Sequence, residues 1–491
     1  MTAFNSWTGV DSPTLDARYV KAFVVDAATY GDGVTDATTH IQGLLDAAQA
    51  VGGTVFLPPG DYLTGNLTIT AAMTLEMATG AAIKFDNTDL DNGLISISGD
   101  TGTVRIVGGC VDGNNETMSG VSFDALLSVF NRFGSLTVVE GVEVKNAVGN
   151  GVWSFDAPID VIGCHVHDCT LSGVAASGVY PTKITGNLIT DCAHNGVSII
   201  TFGAVAKYAG GGVVVSNNRI ENITDGPGAT GAYGNGILTY YCSDVTIVGN
   251  SIEGTDFSFI RANLSDNVTI TGNTCKTSGE VGIFVEFGAS NVTVASNTVD
   301  ACQGSGISLA NADDGAINMI AANNTVSNFG LSASREDAGV IVEHGLAIGN
   351  IVDGDNNPAA IWGVRLGVGS GTAVTFDAEA NGNLISGTKY GIGLPLSHSG
   401  TFMARVVNNS VVREDANYAS FLGAVGAFQS DGGDGSDIDS VPASMTFVSG
   451  NWPAVASAEQ PPAMILGSRL RVGGGIRESD GSAWTTVLGT V

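Results

Sequence analysis

The sequence predicts an all-β chain built as a stack of short coils. Three observations predict it. A valine/isoleucine pattern returns twelve times at a spacing near 23 residues, usually with Asn and Gly beside it. Three copies run consecutively, DVTIVGNSIE from Asp244, NVTITGNTCK from Asn267 and NVTVASNTVD from Asn291. The composition agrees, with 44% hydrophobic residues, 69 glycines, and apolar runs that are short and β-branched. A chain that advances by one small unit per period cannot bury each unit alone, so successive units bury one another. Function is then sought on the outside of the stack, because the repeat fills the inside.

A repeat array of this kind can run to 491 residues as one body. No stretch approaches the roughly eighteen apolar residues of a membrane span. The net charge of −29 repels nucleic acid and anionic membranes, so neither is expected as a partner. It also repels a polyanionic glycan unless cations or local Arg and Lys intervene. The start, from Met1 to Pro13, has no basic n-region and no apolar h-region, so no secretory signal is expected there. The seven cysteines, Cys110, Cys164, Cys169, Cys192, Cys242, Cys275 and Cys302, do not make a disulfide framework. Cys169 and Cys192 lie 23 residues apart and Cys302 takes the same place in a later repeat, which predicts stacked, buried thiols.

Residues 1–20 form a polar leader with too few apolar groups to fold alone, expected to attach the chain or to form oligomers. Residues 21–70 carry the clearest non-repeat signal. Asp36 is placed to cap a helix over 37–50, with Ile41, Leu44, Leu45 and Ala48 on one face. Gly52-Gly53 ends it, the strand TVFL follows, and Pro58-Pro59-Gly60 turns the chain. An amphipathic helix there plugs the open end of a β-stack and protects its edge amides. The run YGDGVTDATTHIQ…GGTVFLPPGDY resembles the opening motif of the pectate-lyase-like superfamily of right-handed parallel β-helices. The resemblance implies a right-handed single-stranded parallel β-helix of about 12 coils. It implies no single reaction, since lyases, hydrolases, alginate epimerases and phage tailspikes share the motif.

Residues 71–428 are read as the β-helix. The pairs Gly151-Val152, Gly173-Val174, Gly196-Val197, Gly236-Ile237, Gly282-Ile283, Gly306-Ile307 and Gly339-Val340 mark one strand, with Phe259-Ile260 in the same place. Asn-x-[IVL] segments mark another. Twelve coils at about 4.8 Å each make a rod roughly 55–60 Å long. Residues 429–444 are a polar linker. Residues 445–491 are a small C-terminal β-module with Trp452 and Trp484, suited to trimerisation. Insertions near TFGAVAKYAG and SNFGLSASRED are where binding loops are expected.

Alternation puts Ile260, Ala262, Ile283, Val285, Ile307 and Leu309 inward and Arg261, Asn263, Phe284, Glu286 and Ser308 outward. Neighbouring coils then form outward columns, one with Tyr240, Asn263, Glu286, Ala310 and Glu343, the next with Leu238, Arg261, Phe284 and Ser308. His344 is read as belonging to the same side. Glu286 and Glu343 are candidate catalytic carboxylates, two coils or roughly 10 Å apart, near the inverting-glycosidase separation of about 6.5–9.5 Å. Arg261, Asn263, Tyr240 and His344 are candidate substrate-binding residues. Outward charges can equally serve only to keep a surface wet.

A second candidate is the run from Gly151, GVWSFDAP, with Trp153, Phe155 and Asp156 outside. It resembles the alginate C5-epimerase segment in which Tyr, Asp and His line the cleft. Asp156 fits the acid, but Trp153 or Ser154 stands at the tyrosine place and Pro158 at the histidine place. Trp153 and Phe155 suit stacking on sugar rings. In Cys164-HVHDC, His165 and His167 share a face, and Cys192 and His194 sit one coil on. The cysteines belong to the buried ladder, so no metal is expected. The stretch from Gly432, GGDGSDIDS around it, matches one calcium-binding nonapeptide with Asp437 at the ligand place, but Asp439 replaces the usual apolar residue. HExxH, GxSxG, P-loop and Rossmann patterns are absent.

The long repeat, leader and separate C-terminal module resemble a phage tailspike or tail-fibre protein. The resemblance implies a homotrimeric virion protein that joins tail or baseplate proteins through its N-terminus. It would bind bacterial surface polysaccharide and could depolymerise it as a hydrolase or lyase. The alternatives are a free, secreted bacterial lyase, hydrolase or C5-epimerase, and a non-catalytic structural spike.

Overall fold

A computed structural model describes residues 22–86, 93–99, 101–114, 125–178, 180–201, 212–226, 233–310, 317–332 and 337–355, and shorter strand segments from there to 488. The leader 1–20, the linker 429–444 with Asp437 and Asp439, Trp452, residues 202–210 of the first insertion and 333–336 of the second lie outside the described residues. The chain divides into two compact units, Met1–Cys192 and Ala193–Val491.

In each unit parallel strands coil through three sheets, and most turns give one strand to each. In the second unit one coil runs Ser243–Val248, Ser251–Thr255, Ile260–Asn263, in the first, second and third sheets respectively. The repeat read from sequence sets the register. Val245 pairs with Val268 and Val268 with Val292 in the first sheet. Ile237, Ile260, Ile283, Ile307, Val340 and Val364 succeed one another in the third. The inward parity follows, since Ile260, Ala262, Ile283, Val285, Ile307 and Leu309 are fully buried. Glycine precedes the inward residue because nothing larger fits. A Cβ on Gly306 would lie 2.2 Å from Val326 Cγ1 and 2.8 Å from the Gly339 carbonyl oxygen.

The Asn of the Asn-x-[IVL] pattern turns the chain from first sheet to second, and in the second unit these residues form a buried ladder. Asn218, Asn250, Asn273, Asn297, Asn324, Asn350, Asn383 and Asn409 follow one another coil by coil. Asn250 donates its backbone and side-chain N–H groups to Asn273 Oδ1, both at 2.9 Å. Asn273 treats Asn297 in the same way, and its side chain also donates to the Ile247 carbonyl at 3.1 Å. A second, exposed ladder of Asp244, Asn267, Asn291 and Asn318 links successive starts of the first-sheet strands. Each has φ between 55° and 58°, a region that Asn and Asp tolerate.

At the start of the first unit the helix spans Thr38–Gln49, one residue shorter at each end than its sequence signal. The N-cap is Ala37, which makes no side-chain cap, rather than Asp36; Asp36, one residue earlier, accepts the Thr38 amide at 2.8 Å. Ile41, Leu45 and Ala48 are fully buried, while Leu44 is half-buried. The helix also serves the open edge of the third sheet, strand Leu67–Ile69. Gln42 Oε1 accepts the Thr68 amide at 2.8 Å and Gln42 Nε2 donates to the Thr68 carbonyl at 3.0 Å. Gln49 Oε1 accepts the Thr70 and Ala71 amides. Two glutamine side chains thus replace the missing neighbouring strand. A four-residue helix, Ala27–Tyr30, precedes it, capped by Asp26.

All seven cysteines are free and buried, and Cys169 pairs in register with Cys192. In the C-terminal segment, Arg469–Val472 pairs antiparallel with Gly475–Ser479, which pairs antiparallel with Trp484–Leu488.

Replacing Asn273 by Ala leaves two buried N–H groups of Asn250 without an acceptor. The expected loss is on the order of 2–4 kcal/mol, against less than about 0.5 kcal/mol for Thr269→Ala on the exposed face. Urea unfolding of the two variants checks it; equal midpoints would show that the ladder contributes nothing beyond ordinary strand pairing.

Candidate functional site

The outward faces of the sheets differ. On the first and second sheets, outward residues such as Thr269 and Lys276 are exposed. On the third sheet of the second unit most are covered: Leu238, Arg261, Asn263, Glu286, Ser308, Ile341, Glu343 and Arg365 are all below 10% exposure, while Tyr240 and Phe284 are half-buried. Polar side chains that point away from the core are here held out of water, which costs free energy unless they are paired.

Arg261 is the centre of the pairing. It sits beside Phe284 in register, and Asn263 sits beside Glu286. The Arg261 Nε donates to Glu286 Oε1 at 2.8 Å, and its Nη2 donates to the same oxygen. Its Nη1 donates to Glu280 Oε2 at 2.9 Å, and that oxygen also accepts from the Ser258 hydroxyl at 3.3 Å. The guanidinium carbon lies 4.9 Å from the centre of the Phe284 ring. One cation therefore serves two carboxylates and one aromatic face.

Burial pushes the Glu286 carboxyl above its ordinary value of 4.5, with Arg261 and Asn263 pulling the other way. Asn263 donates to Glu286, but its own Oδ1 is buried and finds no hydrogen-bond partner among the described residues. Tyr240 is next in the column, with its ring 4.8 Å from that of Tyr241 at an edge-on angle of 77°. Tyr241, Leu264 and Phe287 follow the outward column on three successive coils with φ of 57°, 50° and 57°. Bulky residues seldom adopt this conformation.

The pairing brings Tyr240, Asn263, Glu286 and Arg261 together as neighbours. Glu343 is buried and two coils beyond Glu286, since Leu309 pairs with Val342 and Val285 with Leu309. His344 opens the first-sheet strand His344–Ile348 and pairs there with Asp377, so it lies at the corner after the column rather than in it. The sequence reading missed Glu280 and Ser258. Both lie in the turns that lead into third-sheet strands, and the signal was the acid in GEVGIFVEF, six residues before Glu286.

Trp153, Phe155 and Asp156 belong to the first unit. The Trp153 and Phe155 rings are half-buried on the outward face of their strand, 5.7 Å apart. Asp156 ends the strand with φ of 48° and donates its amide to the Ser177 carbonyl, the position that Tyr241 and Leu264 take in the second unit. An aspartate suits that turn without any catalytic duty.

A family model described as a right handed beta helix region matches residues 107–254 and 208–357, together just over half of the chain. No curated protein matches significantly. Among solved structures, the A-module of a mannuronan C-5 epimerase from Azotobacter vinelandii is similar at 18% identity and TM-score 0.46, covering 79% of this chain and 98% of that one. The Dettilon tailspike protein is similar at 16% identity and TM-score 0.46, covering 80% and 68%. A family 28 exopolygalacturonase of Yersinia enterocolitica is similar at 14% identity and TM-score 0.44, covering 87% and 77%. At these identities the likeness carries nothing about binding or chemistry.

The raised Glu286 carboxyl has a signed consequence. A group whose folded pKa lies above its unfolded value stabilises the fold below the unfolded value and loses that contribution as pH rises through the folded one. Glu286→Gln removes the titration. The melting temperature of wild type relative to Glu286→Gln is expected to fall as pH is raised from about 4 toward 7. A difference that stays flat, or rises, would show that Arg261 outweighs burial.

Proposed function

The chain belongs to the right-handed parallel β-helix family, and we propose that it binds polysaccharide on the outward face of the third sheet in its second unit. One observation carries the reading: the buried Oδ1 of Asn263 is an acceptor without a donor, set beside Glu286, Arg261 and Tyr240. Buried acceptors are almost always satisfied, and a sugar hydroxyl supplies the missing donor. Aromatic faces beside planar polar groups are the other requirement of a sugar site. The net charge of −29 favours a neutral or amino-sugar polymer over a polyanion.

Cleavage is the second reading, favoured by Glu286. A carboxyl raised by burial is suited to protonate a glycosidic oxygen as the C–O bond breaks. Glu280, held by the same Arg261 guanidinium, is one candidate for the second carboxylate such a reaction needs. Glu343, at roughly 10 Å, would instead have to activate a water. The biological setting we favour is a tailspike-like virion protein that engages bacterial surface polysaccharide as a homotrimer. Support for it is the long repeat followed by a separate C-terminal strand group.

Incubation with host capsule or lipopolysaccharide tests both readings. Binding is expected to fall at least tenfold in Asn263→Ala, and unchanged binding would reject the site. Released oligosaccharides are expected to drop at least a hundredfold in Glu286→Gln and Glu280→Gln. A loss under tenfold in Glu286→Gln removes the cleavage reading and leaves the binding one standing. For assembly, sedimentation equilibrium is expected to give three times the chain mass; a monomer would favour the free-enzyme alternative.

A further inference from the structure

On the second sheet of the first unit, the geometry points to a divalent transition-metal site formed by Glu143, His165 and His167. Alternation in the strand His165–Cys169 sends both imidazoles to the outward face, with Val166 buried between them. Their rings stack at 4.1 Å with 26° between planes. Glu143 stands beside His165 on the preceding coil, in register, so three ligating side chains occupy two neighbouring strands. Their ligand atoms all lie within 4.8 Å of one another. A tetrahedral ion holding ligands at about 2.0–2.1 Å spaces them about 3.4 Å apart, within reach of small side-chain rotations.

A carboxylate already orients His167. Its Nδ1 is 2.6 Å from Asp168 Oδ2, and its Nε2 is directed at Glu143 Oε1 at 3.2 Å. Metal-binding imidazoles are commonly held this way, with one nitrogen donating to a carboxylate and the other free for the ion. Lys145 competes, since its ammonium is 3.2 Å from the same Glu143 oxygen. Asp112 stands beside Lys145 in register and offers it another partner. Two nitrogens and one carboxylate oxygen suit zinc, cobalt or nickel, and poorly suit magnesium or calcium. The sequence reading looked for further ligands one coil on, at Cys192 and His194. Cys192 is buried in the core ladder, and the third ligand comes from the coil before. Bound there, an ion would clip the strand Glu143–Ala147 to His165–Cys169.

Titration of the untagged full-length chain with zinc by calorimetry, and with cobalt by visible absorption, tests the site. One equivalent is expected to bind at micromolar affinity or tighter, with a thermal shift and no effect of a tenfold excess of magnesium. His165→Ala and His167→Ala are each expected to weaken binding at least tenfold, and Lys145→Met to strengthen it by removing the competing cation. Two outcomes would overturn the proposal: no saturable uptake, or uptake that the histidine substitutions leave unchanged. The first would mean that His167 serves only to bridge Glu143 and Asp168.

Discussion

The second unit depends on a single constraint, that each coil must stop at the same place as the one before. The asparagine ladder from Asn218 to Asn409 enforces it. Each buried amide accepts two N–H groups from one neighbour and donates to the next, so a coil shifted by one residue would strand polar groups in the core. Strand pairing resists the same slip, because a one-residue shift would turn every buried inward side chain outward, and the ladder adds a polar penalty at the turn. With the turn fixed, the inward and outward parity of every strand follows.

That parity builds the site. Arg261, Asn263 and Glu286 come from two successive strands, at alternate outward positions, and are therefore neighbours without any loop to position them. Being covered changes their chemistry. An exposed Arg–Glu pair contributes little, whereas this guanidinium carries two carboxylates and an aromatic ring in a place with little water. The arrangement leaves one carboxyl above its ordinary value and one amide oxygen without a donor.

Much of the fold was legible because its signals are local or strictly periodic. Val245, Val268 and Val292 announced their stacking by spacing alone. Asp36 and the Ile41, Leu45, Ala48 face announced the helix, and the 23-residue gap between Cys169 and Cys192 announced their register. The site was legible only where it lay in the columns. Glu280 approaches Arg261 from a turn, where period-two reasoning does not apply. His344 was assigned by its nearness in sequence to Glu343, but the chain turns a corner between them. Gln42 and Gln49 look like ordinary helix-surface residues until the free strand edge is placed next to them.

The sequence by itself determined the basic coil, the turn positions and which side chains leave the core, because the marker residues recur even where insertions lengthen a coil, as between Asn218 and Asn250. Only the tertiary structure decided which of the outward groups lose water and which charges meet, as Glu143 meets His167 from the coil before and Glu280 meets Arg261 from a turn. Those contacts join residues about twenty positions apart through bends that carry no periodic mark, and electrostatics depends on that distance and on burial, neither of which a spacing encodes.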